Sequence, residues 1–71
     1  MIHPYILVLW YTHKLADRNH LADDLNARHN GAITEQEAKH AFQTAPDWMK
    51  SSTRQVSDEA QDIFVFASLV K

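Results

Sequence analysis

Apolar residues recur along the chain mainly at the three- and four-residue intervals of helices. Pro4 suits the first position of a helix, and no proline or glycine follows it before Gly31, so one long helix or two successive helices would fill this stretch. Its later part carries an apolar stripe: Leu15, Ala22 and Leu25. Residues 6–10 are apolar on every side, a pattern that fits a buried helix or a central strand.

Two local signals mark the start of the next element. Asn30 and Gly31 tolerate the left-handed conformation that closes a helix C-terminus. Residues 34–37, Thr-Glu-Gln-Glu, spell a capping box, in which the threonine accepts a free backbone N–H and the last glutamate reaches back to it. We therefore predict a helix from this box to about Thr44, ended by Pro46. One side of it is lined by small residues and a phenylalanine: Ala38, Ala41, Phe42 and Ala45.

The segment after Pro46 is predicted to contain a short turn, a loop and a last helix. The turn covers residues 47–51, and the polar residues 51–55 are interpreted as the loop. Ser57 has the character of an N-cap, since two acidic residues follow it at the positive end of a helix dipole. The helix that it would start, residues 58–70, is apolar on both sides.

These elements predict an all-α fold, a compact bundle of three to four helices that forms one domain over residues 1–71. The alternative is an α+β fold, in which the two terminal apolar runs pair as strands and the helices cover one face. A chain of 71 residues has room for only one small core, and the absence of cysteine excludes disulfides. Association with a second copy or with a partner is therefore the expected source of additional buried surface.

Charge and hydropathy limit the classes of partner. Seven Lys and Arg against nine Asp and Glu leave a net charge of −2, without the basic surface that nucleic-acid binding needs. A DNA-binding helix-turn-helix over residues 21–26 and 33–42 stays a second alternative, although Glu35 and Glu37 would face phosphates. The longest apolar run, residues 5–11, is far shorter than the roughly 20 residues of a membrane span. Without a secretory signal, we expect a cytoplasmic protein and no membrane partner.

Residues 26–37 resemble an EF-hand loop in their spacing, with Gly31 at the sixth place and Glu37 at the twelfth. The ligand chemistry does not fit calcium, because the earlier liganding places hold no carboxylate: Asn26, Arg28 and Asn30. A helix, a glycine stop and a capping box explain the same residues without a metal, and we favour that interpretation.

A second set of weak metal candidates repeats at helical intervals: His13, Asp17, His20 and Asp24. On one continuous helix they would share a face, but ligands spread over three turns cannot all reach one ion. We favour a solvated face and expect no metal or other cofactor. The alternative function is a metal-responsive module that would use either these residues or the EF-hand-like junction. With no cysteine and one glycine, the chain also lacks a nucleophile motif and a phosphate-binding loop, and we expect no catalytic residue and no enzyme.

Binding of another protein is the function that these exclusions favour. Trp48 and Met49 are large side chains in a short turn, where a tryptophan either covers the core as a lid, the commoner outcome, or protrudes as a binding anchor. The C-terminal run adds four more candidates for partner binding: Phe64, Phe66, Leu69 and Val70. We predict a small regulator, inhibitor or adaptor that binds a protein partner, a second copy of itself, or both.

Overall fold

The computed structural model describes residues 2–59, which form four α-helices and no strand within that range. The helices are α1 (Pro4–Leu15), α2 (Asn19–Arg28), α3 (Glu35–Thr44) and α4 (Asp47–Glu59). The all-α bundle is confirmed. Residues 6–10 are helical, so the alternative fold with a strand there is wrong, and its second strand lies outside the described residues.

Helix α1 lies at the centre of the bundle and packs against each of the other three helices. It starts at Pro4, and the His3 ring caps it by accepting the backbone N–H of Tyr5 at 3.0 Å. Val8 and Leu9 are fully buried. Because neighbours surround α1, its apolar residues point in every direction, which explains why its sequence shows no amphipathic period.

Two successive helices, not one, fill the stretch before Gly31. The turn between them contains Asp17 with φ +60°, and the Arg18 N–H closes the end of α1 on the carbonyl of His13 at 2.9 Å. Ala22 and Leu25 then turn the apolar side of α2 towards the core. The break also separates residues that a single helix would have placed on one face.

The predicted stop and capping box both form at the junction between α2 and α3. Asn30 and Gly31 have φ values of +60° and +70°, and the Gly31 N–H bonds to the carbonyl of Asn26 at 2.8 Å. The Thr34 hydroxyl accepts the N–H of Glu37 at 3.3 Å and donates to the Glu37 carboxylate at 3.2 Å. The junction is therefore closed by hydrogen bonds of the chain itself.

Helix α4 corrects the prediction for the segment after Pro46. Residues 51–55 are helical, so the expected loop is wrong, and Ser57 lies inside a helix and is not an N-cap. Pro46 opens α4, since its carbonyl accepts the N–H groups of Met49 at 3.1 Å and Lys50 at 3.2 Å. The hydroxyl-rich segment stays helical because its side chains bond within α4 and to α1, as Thr53 does with the carbonyl of Lys50 at 3.0 Å.

The apolar core is built by α1, α2, α3 and the segment before α3. Its buried cluster comprises Ile6, Leu9, Trp10, Ala22, Leu25, Ile33 and Ala38. Helix α4, as far as it is described, adds only the partly buried Val56, and its fully buried residues are Thr53 and Ser57. Among the described residues, the fully buried contacts of α4 with α1 therefore include polar ones. None of the described helices has the length and apolar character needed to cross a bilayer.

Candidate functional site

An open groove runs along α3 between the start of α1 and the start of α4. Its volume is about 780 Å³, within the range of roughly 300–1,000 Å³ of pockets that bind ligands. Its apolar lining includes Ile2, Leu7, Ala41, Ala45 and Met49. Thr34, Glu37, His40 and Thr44 supply polar groups along the α3 side. The groove therefore combines an apolar floor with polar groups on one side.

Pro46 positions the residues at the end of this groove. The residue before a proline favours extended backbone, and Ala45 has φ −72° and ψ 145°, so α3 ends there. Helix α4 begins directly after Pro46, which brings Met49 into the groove lining. Trp48 lies about 100° away from Met49 around the helix axis. The sharp α3–α4 connection thus directs two neighbouring large side chains to different surroundings.

Trp48 is 63% exposed, so the expectation that it covers the core as a lid is wrong. Its ring lies near that of Tyr5 on α1, with the two centroids 6.3 Å apart and an angle of 43° between the ring planes. The residues of α4 that are buried against α1 include Thr53 and Ser57. Trp48 is left at the surface beside a half-buried Met49.

The charges of the groove have one sign. Glu37 is the only carboxylate that lines it, and no Lys or Arg does so among the described residues. Glu37 is exposed and is oriented by the Thr34 hydroxyl at 3.2 Å. The groove can therefore accept an apolar segment together with a positive charge next to Glu37.

No protein family model, curated protein or solved structure matches this chain.

The weak metal candidates lie on three successive parts of the chain. His13 is buried in α1, Asp17 lies in the turn, and His20 and Asp24 lie on α2, so the expectation of one shared helix face is wrong. Asp24 instead pairs with Arg28 at 3.1 Å. Within residues 2–59, no three His, Cys, Asp or Glu side chains are arranged to hold a metal ion.

The EF-hand-like spacing of residues 26–37 has a structural explanation. Asn26 is at the first liganding place, and both the oxygen and the nitrogen of its side-chain amide hydrogen-bond to the backbone of Ile33. Its Oδ1 accepts the Ile33 N–H at 2.9 Å, and its Nδ2 donates to the Ile33 carbonyl at 3.2 Å. Residues 26–37 thus form the end of a helix, a glycine stop and a capping box.

Four predicted partner-binding residues, Phe64, Phe66, Leu69 and Val70, lie outside the described residues. Their assignment to an interface stays a prediction.

A row of polar contacts that the sequence did not reveal joins α1 and α4, and we call it the α1–α4 seam. It joins Tyr5, Thr12 and His13 on α1 to Ser52, Thr53 and Ser57 on α4. The Thr12 and Thr53 hydroxyls lie 3.1 Å apart, as do His13 Nδ1 and the Ser57 hydroxyl. The spacing of Ser52, Thr53 and Ser57 on one side of a helix was the available signal, but their polarity favoured a loop.

The His13–Ser57 contact has the composition of a base and a nucleophile, but its surroundings do not suit catalysis. His13 is 1% exposed and Ser57 is fully buried, so a substrate has no access to either. Burial, followed by the positive charge of Arg18 and the nearby His20, lowers the pKa of His13 from 6.5 to about 4. The pair fits a structural role in joining two helices.

Proposed function

We propose that the protein is a small protein-binding module that acts by covering a surface of its partner, as a regulator, inhibitor or adaptor does. The observation that carries this proposal is the exposure of Trp48 beside the groove that contains Met49. Tryptophan is enriched among the residues that dominate binding energy at protein interfaces. An exposed tryptophan next to an apolar groove is a suitable anchor for such an interface.

The groove supports a specific kind of partner: an apolar segment of a protein that carries a Lys or Arg next to its apolar side chains. The apolar floor offers burial to the apolar side chains, and Glu37 offers charge complementarity to the cation. An acidic segment would meet an unfavourable charge at Glu37. The cysteine-free composition suits a cytosolic setting, which is part of the proposal.

Selection of displayed peptides of random sequence on the immobilised full chain tests the proposal. The retained peptides should combine apolar residues with Lys or Arg. In solution, Trp48→Ala should weaken the binding of a retained peptide about 30-fold, the size of effect expected for an interface residue that contributes about 2 kcal/mol. Its helical circular dichroism signal should stay unchanged, because Trp48 is largely exposed.

A matched pair of charge variants separates the groove from the rest of the surface. Glu37→Gln removes the carboxylate that lines the groove and should weaken the basic peptides several-fold, whereas Glu35→Gln removes an exposed carboxylate outside the lining and should leave them unchanged. Enrichment of acidic peptides, or equal effects of both variants, would contradict the proposed partner. Loss of helical signal in Trp48→Ala would show that Trp48 supports the fold.

A further inference from the structure

The attachment of α4 to the bundle differs in chemistry from that of the other helices. Helices α1, α2 and α3 share the buried apolar cluster, to which the described part of α4 contributes only the partly buried Val56. Within the described part of α4 the fully buried residues are Thr53 and Ser57, and both bond to α1 across the seam. Hydrogen bonds between buried polar groups therefore contribute to holding α4 against α1, and loss of a partner in such a contact is costly.

His13 is the titratable group at the centre of this seam. Its Nδ1 lies 3.1 Å from the Ser57 hydroxyl, and its Nε2 is buried without a hydrogen-bond partner among the described residues. A neutral imidazole satisfies the contact with Ser57 in either direction of donation. The imidazolium ion would place a second N–H donor, and a charge, where no acceptor is available.

The charged groups around His13 also oppose its protonation. Arg18, in the turn after α1, donates to the carbonyl of Ser57 on α4, and its positive charge acts on the His13 ring. His20 on α2 acts in the same direction, while the carboxylate of Asp58 on α4 is exposed. No carboxylate is among the described groups that shift the pKa of His13. His13 therefore binds a proton more readily when the seam is open than when it is closed.

We propose that acid releases α4 from the bundle by protonating His13, while α1, α2 and α3 stay packed. Trp48 and Met49 belong to α4, so this release would also take apart the proposed partner-binding surface. The opening itself does not depend on the proposed function. It makes the α1–α4 seam a device that couples the accessibility of α1 to pH.

The direction in which pH changes the docking of α4 follows from proton linkage. A histidine whose pKa is depressed in the docked state binds a proton more readily after release, so docking weakens as the pH falls below 6.5 and the effect levels off near 4. With a pKa of about 4 when docked and 6.5 when released, the equilibrium constant for release rises about 30-fold between about pH 7.5 and about pH 5.

Amide hydrogen exchange of the full chain, corrected for the intrinsic pH dependence of exchange, tests the proposal. The opening constant of the α4 amides should rise about 30-fold over this pH interval, and the amides of α2 and α3 should change far less. His13→Gln keeps a hydrogen-bonding side chain opposite Ser57 without a titrating ring, and it should abolish most of the rise. His3→Asn, which removes a histidine at the cap of α1, should leave the rise intact.

Three results would overturn the proposal: an unchanged rise in His13→Gln, an equal rise in all four helices, and no rise in the parent protein. If His13→Gln fails to fold, the titration of the His13 ring protons by NMR in the parent protein decides instead. A His13 midpoint near 6.5 would mean that docking does not oppose protonation, and acid would then not weaken the docking of α4. A midpoint well below 6, together with selective opening of α4, supports the release.

Discussion

Asn26 shows how one side chain can define a junction between two helices. Its amide pairs with both polar groups of the Ile33 backbone, as a neighbouring strand would, although the two residues are seven positions apart. This pairing brings the buried Ile33 side chain to the core just before the Thr34 cap. A group that accepts and donates in a fixed plane is needed for both bonds, which only Asn or Gln can supply.

Substitution of Asn26 should therefore reveal a graded loss of stability. Asn26→Ala removes both bonds and should lower the free energy of unfolding by about 1–2 kcal/mol, because each of these half-buried hydrogen bonds contributes on the order of 1 kcal/mol. Asn26→Asp keeps the acceptor for the Ile33 N–H but places a carboxylate against its carbonyl, so it should also destabilise the fold. Urea unfolding followed by circular dichroism measures both. An alanine variant as stable as the parent would show that water replaces the amide without cost.

At the level of elements, the boundaries of α3 and α4 differ in how far local sequence determines them. The start of α3 depends on Thr34 and Glu37, three residues apart, and its end depends on Pro46. The middle of α4 is stabilised by contacts that span 41 and 44 residues, from Thr12 to Thr53 and from His13 to Ser57. A hydroxyl-rich segment favours a loop until a neighbouring helix offers partners for its side chains.

Proline substitution tests whether residues 51–55 are helical in solution. Arg54 is exposed in the interior of α4, so Arg54→Pro should remove a helical hydrogen bond and lower the free energy of unfolding by about 3 kcal/mol or more. Arg54→Ala, which removes the same side chain, should have little effect. Chemical unfolding of both variants gives the comparison. In a loop, as the sequence suggested, proline would be tolerated, and equal stability of the two variants would restore that interpretation.

The sequence predicted the helical class, the two-helix option before Gly31, and the limits of α3, because these depend on caps and breakers close to one another in the chain. It left α1 undecided between helix and strand, because a helix surrounded by neighbours has no polar face. It could not place His13, whose burial depends on Ser57 in a helix that the pattern did not reveal. The exposure of Trp48 likewise depends on the angle at which α4 leaves Pro46, which no local pattern specifies.

At the scale of the whole molecule, the described residues form a body of about 24 Å in each direction. Two large apolar side chains remain exposed on it, Leu15 at 61% and Trp48 at 63%. The remaining sequence adds an apolar run with two more phenylalanines, Phe64 and Phe66. A chain of this size has little surface of its own to cover so much apolar area, so association with a second copy stays our expectation.

Solution mass across a concentration series tests that expectation. The parent protein should show a concentration-dependent dimer by light scattering, and Phe66→Asp should shift it towards the monomer because a buried charge opposes association. Trp48→Ala serves as the comparison, because Trp48 belongs to the surface proposed to bind a different protein. This variant should leave the self-association intact. If Phe66→Asp keeps the mass and the melting temperature of the parent, the interface lies elsewhere.

The positions of the two tryptophans have an optical consequence. Trp10 is buried within the apolar cluster, whereas Trp48 stands at the surface. Their fluorescence therefore comes from two different environments, with Trp10 emitting at the shorter wavelengths of an apolar interior and Trp48 at the longer wavelengths of a hydrated indole. A water-soluble quencher such as iodide reaches Trp48 and spares Trp10. The native protein thus contains separate, label-free signals for its interior and for one spot on its surface.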